Sequence, residues 1–209
     1  MTAKGKNHYI VRPLEKSDIP VISRWFCDLD DLSAFDRSIR VPLSVEATEK
    51  AWSEGLHNDG KNGKYWFAIE DPDEKPVGIV GLQEHNPINR DAVLALYITK
   101  ALRRSGLGIR ATALIVDLAF DQLGLNRITS YYHDENEGSR KVTKSLGFEV
   151  EGCMRKAWFR GGRHMDLIVV GLLRQDWADS RKVLAGRLGN DISVSFGSRE
   201  SPSWRWPPE

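Results

Sequence analysis

Gly106 and Gly108 stand between an apolar run, Leu96-Tyr97-Ile98, and a long helix-like pattern, with Arg103, Arg104 and Arg110 close around them. Residues of these types in this order can hold an anion. Glycine opens backbone angles closed to other residues and lets a phosphate approach the main chain, while the first-turn N–H groups and dipole of the helix attract negative charge. The arginines add charge that a pyrophosphate can use. The same turn also forms with no ligand, so the spacing alone leaves both readings open. It does argue against two nucleotide fingerprints. No Gly-x-x-x-x-Gly-Lys-Ser/Thr run occurs, and position 111 is Ala111 where a dinucleotide turn has its third glycine.

Downstream, Asn136-x-x-Ser139 places an amide and a hydroxyl at the start of a short helical stretch. The amide offers a donor and an acceptor to an amide-rich ligand, and both residue types also serve as plain helix caps. Upstream, Glu84 and His85 follow an apolar strand, where a carboxylate or imidazole can take a proton or simply lie solvated. Cys27 and Cys153 lie too far apart for a disulfide framework or metal-ligand spacing, so no metal is expected and both read as buried or half-buried thiols.

Arg103-x-x-Gly106-x-Gly108 resembles the Arg/Gln-x-x-Gly-x-Gly/Ala motif of the GCN5-related N-acetyltransferase (GNAT) superfamily. Asn136-x-x-Ser139-x-x-Val142, followed by Gly147-Phe148, resembles its second cofactor motif. Glu151-Gly152 with Arg155 and Asp166 is similar to its closing strands, and the likeness is nearest to the Rim-type (RimJ/RimL-like) branch, whose named members acetylate N-termini of ribosomal proteins. The resemblance covers about residues 8–177. It implies a mixed α/β fold with a mostly antiparallel sheet flanked by helices, acetyl-CoA as co-substrate, and an amine acceptor. It further implies that Arg103, Arg104, Gly106, Gly108 and Ile109 meet the pyrophosphate, and that Ile98, Asn136 and Ser139 meet the pantetheine arm.

Acetyl transfer to an amine sets chemical demands. A protonated amine has no lone pair, so a carboxylate, an imidazole or a water held by one must remove its proton. Negative charge grows on the thioester oxygen and needs a donor, which a main-chain N–H at a splayed strand can supply. The thiolate leaves more readily when a proton is donated to it. Glu84 and His85 are the candidate bases, and Ser139 the candidate group at the sulfur. Two positions depart from the family pattern: Val93 stands where many Rim-type sequences carry a glutamate, and Thr143 where the superfamily often has a tyrosine acid.

The acceptor is less legible. By resemblance, Asp28 to Arg40 forms part of its cleft, and its acidic and aromatic residues suit a cationic amine or a peptide N-terminus. Arg155, Lys156, Trp158, Arg160, Arg163 and His164 around the last hairpin suit a phosphorylated acceptor such as a nucleotide-linked amino sugar. Aminoglycosides and polyamines are further acceptor classes. A non-catalytic acetyl-CoA-sensing or protein-binding module is the alternative function, and nucleic acid is not expected as a partner.

These residues need a scaffold, and the chain of 209 residues, 41% hydrophobic and 28% charged, suffices for one sizeable core. A net charge of +1 creates no field that recruits nucleic acid or an anionic membrane. Met1 to Asn7 carry lysines but no apolar signal region, and no run is long enough to span a bilayer, which points to the cytoplasm. The patterning predicts a strand at Tyr9–Leu14, a helix after Ser17-Asp18, an irregular stretch from Asp28 to Pro42 and a helix from Ser44 to Leu56. A hairpin about Asp71–Lys75, a doubly buried strand at Ala92–Ile98 and a helix over 107–123 follow. The last elements are a strand at Ile128–His133, a helix over Gly138–Leu146 closed by Gly147, and two strands joined at Gly161-Gly162. Residues 178–209 read as an irregular or partner-docked extension, with Trp204 and Trp206 free to dock on the body or on a second subunit of a homodimer.

Overall fold

The computed structural model describes residues 7–56 and 63–208. The lysine-bearing start, 1–6, lies outside the described residues. Nine strands form one sheet: β1 (His8–Pro13), β2 (Tyr65–Glu70), β3 (Pro76–Asn86), β4 (Asp91–Ile98), β5 (Arg127–His133), β6 (Glu149–Arg160), β7 (Arg163–Leu173), β8 (Ser193–Gly197) and β9 (Pro202–Trp206). Their order is β6-β7-β5-β4-β3-β2-β1-β8-β9, and every pair is antiparallel except β4 with β5 and β1 with β8.

Period-2 alternation sorts the strand side chains onto two faces. Trp66, Ala68, Ile79 and Tyr97 pack with Ile19, Ile22 and Leu32 from α1 (Ile19–Trp25) and α2 (Leu29–Phe35). Phe67, Ile69, Val80 and Leu94 pack on the opposite face with Leu107, Leu114 and Ile115 of α4 (Leu107–Asp117), which runs on through a π-helical turn to Gln122. A further helix, α3 (Val45–Trp52), is capped by the Ser44 hydroxyl, which accepts from Ala47 N–H at 3.1 Å. The Gly161-Gly162 turn has positive φ at both residues, as a two-residue hairpin between right-twisted strands requires.

Three expectations need correction. The stretch from Asp28 to Pro42 is irregular only after Phe35. Asp28 caps α2 by accepting from Asp30 and Asp31 N–H at 3.0 and 3.1 Å, and Leu32 and Phe35 turn one face of that single short helix inward. Cys27 and Cys153 are both exposed. The extension from residue 178 is ordered against the body: α6 (Arg174–Arg187) leads into β8, which pairs in parallel with β1, and β9 brings Trp206 to full burial. The polar side of α4 is therefore covered, with Arg110 and Asp117 buried beneath this segment. Among the described residues no helix is long and apolar enough to cross a membrane.

Candidate active site

The parallel pairing of β4 with β5 holds only from Asp91↔Arg127 to Val93↔Thr129, after which the two strands part. Polar main-chain groups are thereby turned toward an opening. The Leu94 carbonyl accepts from the Ser130 hydroxyl at 3.1 Å, and the Ile98 carbonyl accepts from Arg103 Nε at 3.0 Å. Thr99 N–H instead donates back to Val77 of β3. Even-numbered residues of β4 thus point their N–H and C=O groups toward β5, and Leu96, midway between Leu94 and Ile98, presents its pair to the gap. A splayed strand and Ile98 are expected from the sequence, but Leu96 is not, since side-chain patterning carries no record of where a strand loses its neighbour.

The gap widens into a cleft of about 1420 Å³. Single-ligand pockets usually measure roughly 300–1,000 Å³, so the space suits two substrates side by side. One end is the turn into α4. Gly106 adopts φ 86° and Ser105 Oγ accepts from Leu107 N–H at 3.2 Å, while the first intrahelical bond runs from Arg110 N–H to Gly106 C=O. Gly108 and Ile109 lie within the first turn, whose N–H groups have no intrahelical acceptor. A Cβ on Gly108 would come within 3.2 Å of a Leu96 methyl, so α4 begins in close contact with β4.

Of the three arginines, Arg104 lines this end of the cleft and is exposed. Arg103 also lines the cleft, but its guanidinium is bound to the Ile98 carbonyl and to Asp31 at 2.8 Å. Arg110 lies behind the turn, donating to the Gly106 and Gly189 carbonyls at 3.3 and 2.6 Å. Its part is to brace the turn from the side of the C-terminal extension. Asp31 is buried and also accepts from the Tyr97 hydroxyl at 2.9 Å; burial and then this carboxylate push the Tyr97 phenol well above its ordinary pKa.

The opposite wall carries α5 (Glu137–Leu146). Asn136 caps it, accepting from Ser139 N–H at 3.0 Å, so the capping role open to it in the sequence is filled. Ser139 is half-buried on the cleft wall. Thr143 is buried, and its hydroxyl turns back to the Ser139 carbonyl at 2.9 Å. It is engaged within its own helix and unsuited to proton donation.

Glu84 and His85 part company in the structure. The β3–β4 register slips between Gln83 and Asn86, and Glu84 sits in this irregularity with φ 55°. Its residue lines the cleft next to Gln83, the partner of Val93. The bulge thus sets a carboxylate beside the position where a family glutamate is missing. His85 is not among the cleft residues: its N–H bonds Gly63 C=O at 3.0 Å and its ring packs on Tyr65.

The far wall of the cleft is α2 with the loop after it, and the β6–β7 hairpin. Trp158 is buried and donates its indole N–H to the Ser33 carbonyl at 2.9 Å, fastening the hairpin to α2. Lys156, Arg160 and His164 of the basic hairpin line the cleft, whereas Arg155 and Arg163 do not. Tyr131 and Arg37, which sequence reasoning did not single out, also face this space. Burial first, then the Glu84 charge, raise the Tyr131 pKa, and Arg37 lowers it. No group of His, Cys, Asp and Glu able to hold a metal occurs among the described residues.

Comparison with known proteins agrees with this geometry. The acetyltransferase (GNAT) domain family matches residues 8–149. The protein named "Probable N-acetyltransferase YjcK" of Bacillus subtilis is 31% identical over 177 residues, spanning 83% of this chain and 97% of its own. The spermidine N(1)-acetyltransferase of Escherichia coli is 27% identical over 175 residues, covering 82% and 89% of the two chains. The spermidine N-acetyltransferase of Vibrio cholerae, solved in complex with CoA and spermine, superposes with a TM-score of 0.73 at 23% identity over 81% of this chain and 98% of that one, a likeness of fold.

Proposed function

The chain belongs to the acetyltransferase (GNAT) family, and from that premise we propose that it moves an acetyl group from acetyl-CoA directly to a small-molecule primary amine, both held in the cleft at once. The observation that carries this reading is the splayed β4 edge meeting the Gly106–Gly108 turn at one end and the Glu84 bulge at the other. Acetyl-CoA supplies a thioester carbon for the amine nitrogen to attack and a thiol that leaves as the C–S bond breaks.

The residues divide the work. Gly106, Gly108 and Ile109 direct first-turn N–H groups at the pyrophosphate, with Arg104 adding charge. Leu96 and Ile98 offer main-chain groups to the pantetheine arm in the manner of a missing strand, and Leu96 N–H is the donor placed for charge growing on the thioester oxygen. Glu84 takes the ammonium proton, directly or through a water. Ser139 Oγ hydrogen-bonds the departing sulfur, while Asn136 fixes Ser139 by capping its helix. Amines named for similar proteins, spermidine and spermine, support a small-molecule acceptor over a protein N-terminus.

The test is thiol release from acetyl-CoA by purified protein against separate pools of peptides, polyamines, aminoglycosides and amines bearing carboxylate or phosphate groups. Turnover in a small-molecule pool supports the reading. Silence in every pool, with acetyl-CoA binding shown by calorimetry, overturns it in favour of a sensing module, a function compatible with Val93 and with the inward-turned Thr143 hydroxyl.

A further inference from the structure

The acceptor half of the cleft carries an imbalance of charge that the acetyl-transfer chemistry does not use. Its carboxylates are mostly committed within the protein. Asp31 is buried against Tyr97 and Arg103. Asp30 pairs with Arg160 at 3.2 Å, and Asp36 accepts from the N–H groups of Ser38 and Ile39 at 2.6 and 2.9 Å. Glu84 is left for the amine.

Arg37 stands in the opposite condition. It is exposed at the cleft wall, lines the cleft, and its guanidinium lies 5.9 Å from the centre of the Trp158 ring. Among the described residues no carboxylate is within ion-pair distance of it. Trp158 is itself fixed by its bond to Ser33, so the platform beneath Arg37 is rigid. Electrostatically, Tyr131 senses both Glu84 and Arg37, which places one negative and one positive group around the same stretch of cleft.

A guanidinium held over a fixed aromatic ring, with no carboxylate partner, is open to a bidentate anion such as a carboxylate or a phosphate. It also repels a polycation, so it discriminates against a polyamine at the same time as it favours an anion. Resting on the acetyltransferase reading above, we propose that the acceptor is a primary amine that also carries a carboxylate or a phosphate, the anion being received by Arg37 over Trp158 while the amine faces Glu84. The enzyme then differs from its spermidine-acetylating relatives in acceptor charge, with acetyl transfer itself unchanged.

The experiment compares thiol release with four amines of similar size: 4-aminobutyrate, 2-aminoethyl phosphate, n-butylamine and spermidine, for the wild type and for Arg37→Lys, Arg37→Gln and Arg37→Glu. Melting temperature checks that each variant folds. The wild type is expected to favour one of the anionic amines over spermidine by roughly tenfold or more in kcat/KM, with the carboxylate and phosphate arms telling the two anions apart. Arg37→Glu should reverse the preference, Arg37→Gln should abolish it mainly through KM, and Arg37→Lys should keep part of it. Spermidine turned over best by the wild type, or a preference indifferent to Arg37→Glu, overturns the proposal and leaves the acetyltransferase reading intact. If no amine is turned over, calorimetry of the CoA-loaded protein decides: Arg37-dependent binding of 2-aminoethyl phosphate or 4-aminobutyrate keeps the anion site and sinks the acetyltransferase reading, and no binding sinks both.

Discussion

Asp117 of α4 receives the indole N–H of Trp206 at 2.7 Å, joining this helix to a strand residue 89 positions further along. The same carboxylate accepts from Trp177 Nε1 at 2.8 Å and from Arg181 at 2.9 and 3.0 Å. A buried carboxylate with four donors is well satisfied, and removing it strands two indoles and a guanidinium at once. Asp117→Ala is expected to cost about 3 kcal/mol or more of unfolding free energy, read as a lower urea midpoint. Asp117→Asn, which keeps an acceptor oxygen, should lose less. A midpoint unchanged in both would show that the extension is not held by this group.

Gly106 is a position in the cleft where backbone freedom is required. At φ 86° a side chain is strained, and an added Cβ would lie 2.6 Å from Arg110 Nη1, the group that braces the turn. Gly106→Ala should weaken acetyl-CoA binding by about 1–2 kcal/mol, and Gly106→Asp should abolish it by setting a carboxylate against the pyrophosphate. Gly152, where a Cβ meets nothing within 4 Å, provides the control. Calorimetry with acetyl-CoA reads all three, and equal affinities would remove the pyrophosphate from this turn.

The sequence made the Gly106-x-Gly108 turn, the Gly161-Gly162 hairpin and the doubly buried β4 legible because each depends on local chemistry: a required backbone angle, or an unbroken apolar run. Other features depend on partners distant in sequence. The C-terminal extension reads as irregular or partner-docked from its sequence, yet it is structured by adding β8 to β1 and placing Trp206 on Asp117. Arg103 and Arg110 read as phosphate ligands from their spacing, yet contacts to Asp31 and Gly189 determine where they point. Glu84 and His85 are neighbours in sequence, and only the bulge at Glu84 reveals which one enters the cleft. Arg37 lies in the stretch expected to form the acceptor cleft, but only Trp158, distant in sequence, gives its guanidinium a defined place.

The roles proposed for Glu84 and Ser139 concern different protons, so their variants should differ in kind. Glu84→Gln removes the proposed base and is expected to lower kcat by about 10²–10⁴-fold with little change in acetyl-CoA affinity. Ser139→Ala should lower kcat more than it changes KM for acetyl-CoA. Thr143→Val separates a chemical role from a structural one in α5. Its hydroxyl bonds the Ser139 carbonyl, so this variant should cost about 1 kcal/mol of stability and leave kcat near wild type. A Thr143→Val enzyme as slow as Ser139→Ala would mean that helix geometry, not the serine hydroxyl, limits the reaction.

His133 sets a pH limit on the fold. It is 3% exposed at the end of β5, its Nδ1 has no hydrogen-bond partner, and burial first, then the Arg160 charge, lower its pKa from the ordinary 6.5. His8 is lowered in the same direction by burial and then by Arg205 and Arg199. The folded protein holds both rings neutral where the unfolded chain protonates them, so the unfolded state binds more protons in this range. Their contribution to stability is complete above the ordinary histidine pKa and is lost as pH falls through the lowered folded values. The melting temperature should therefore decline between pH 7.5 and about 5, above the range in which the carboxylates titrate. His133→Gln should flatten part of that slope, whatever its effect on stability at pH 7.5, and His8→Gln a further part. A decline of equal steepness in the double variant would assign the acid sensitivity to groups other than these two rings.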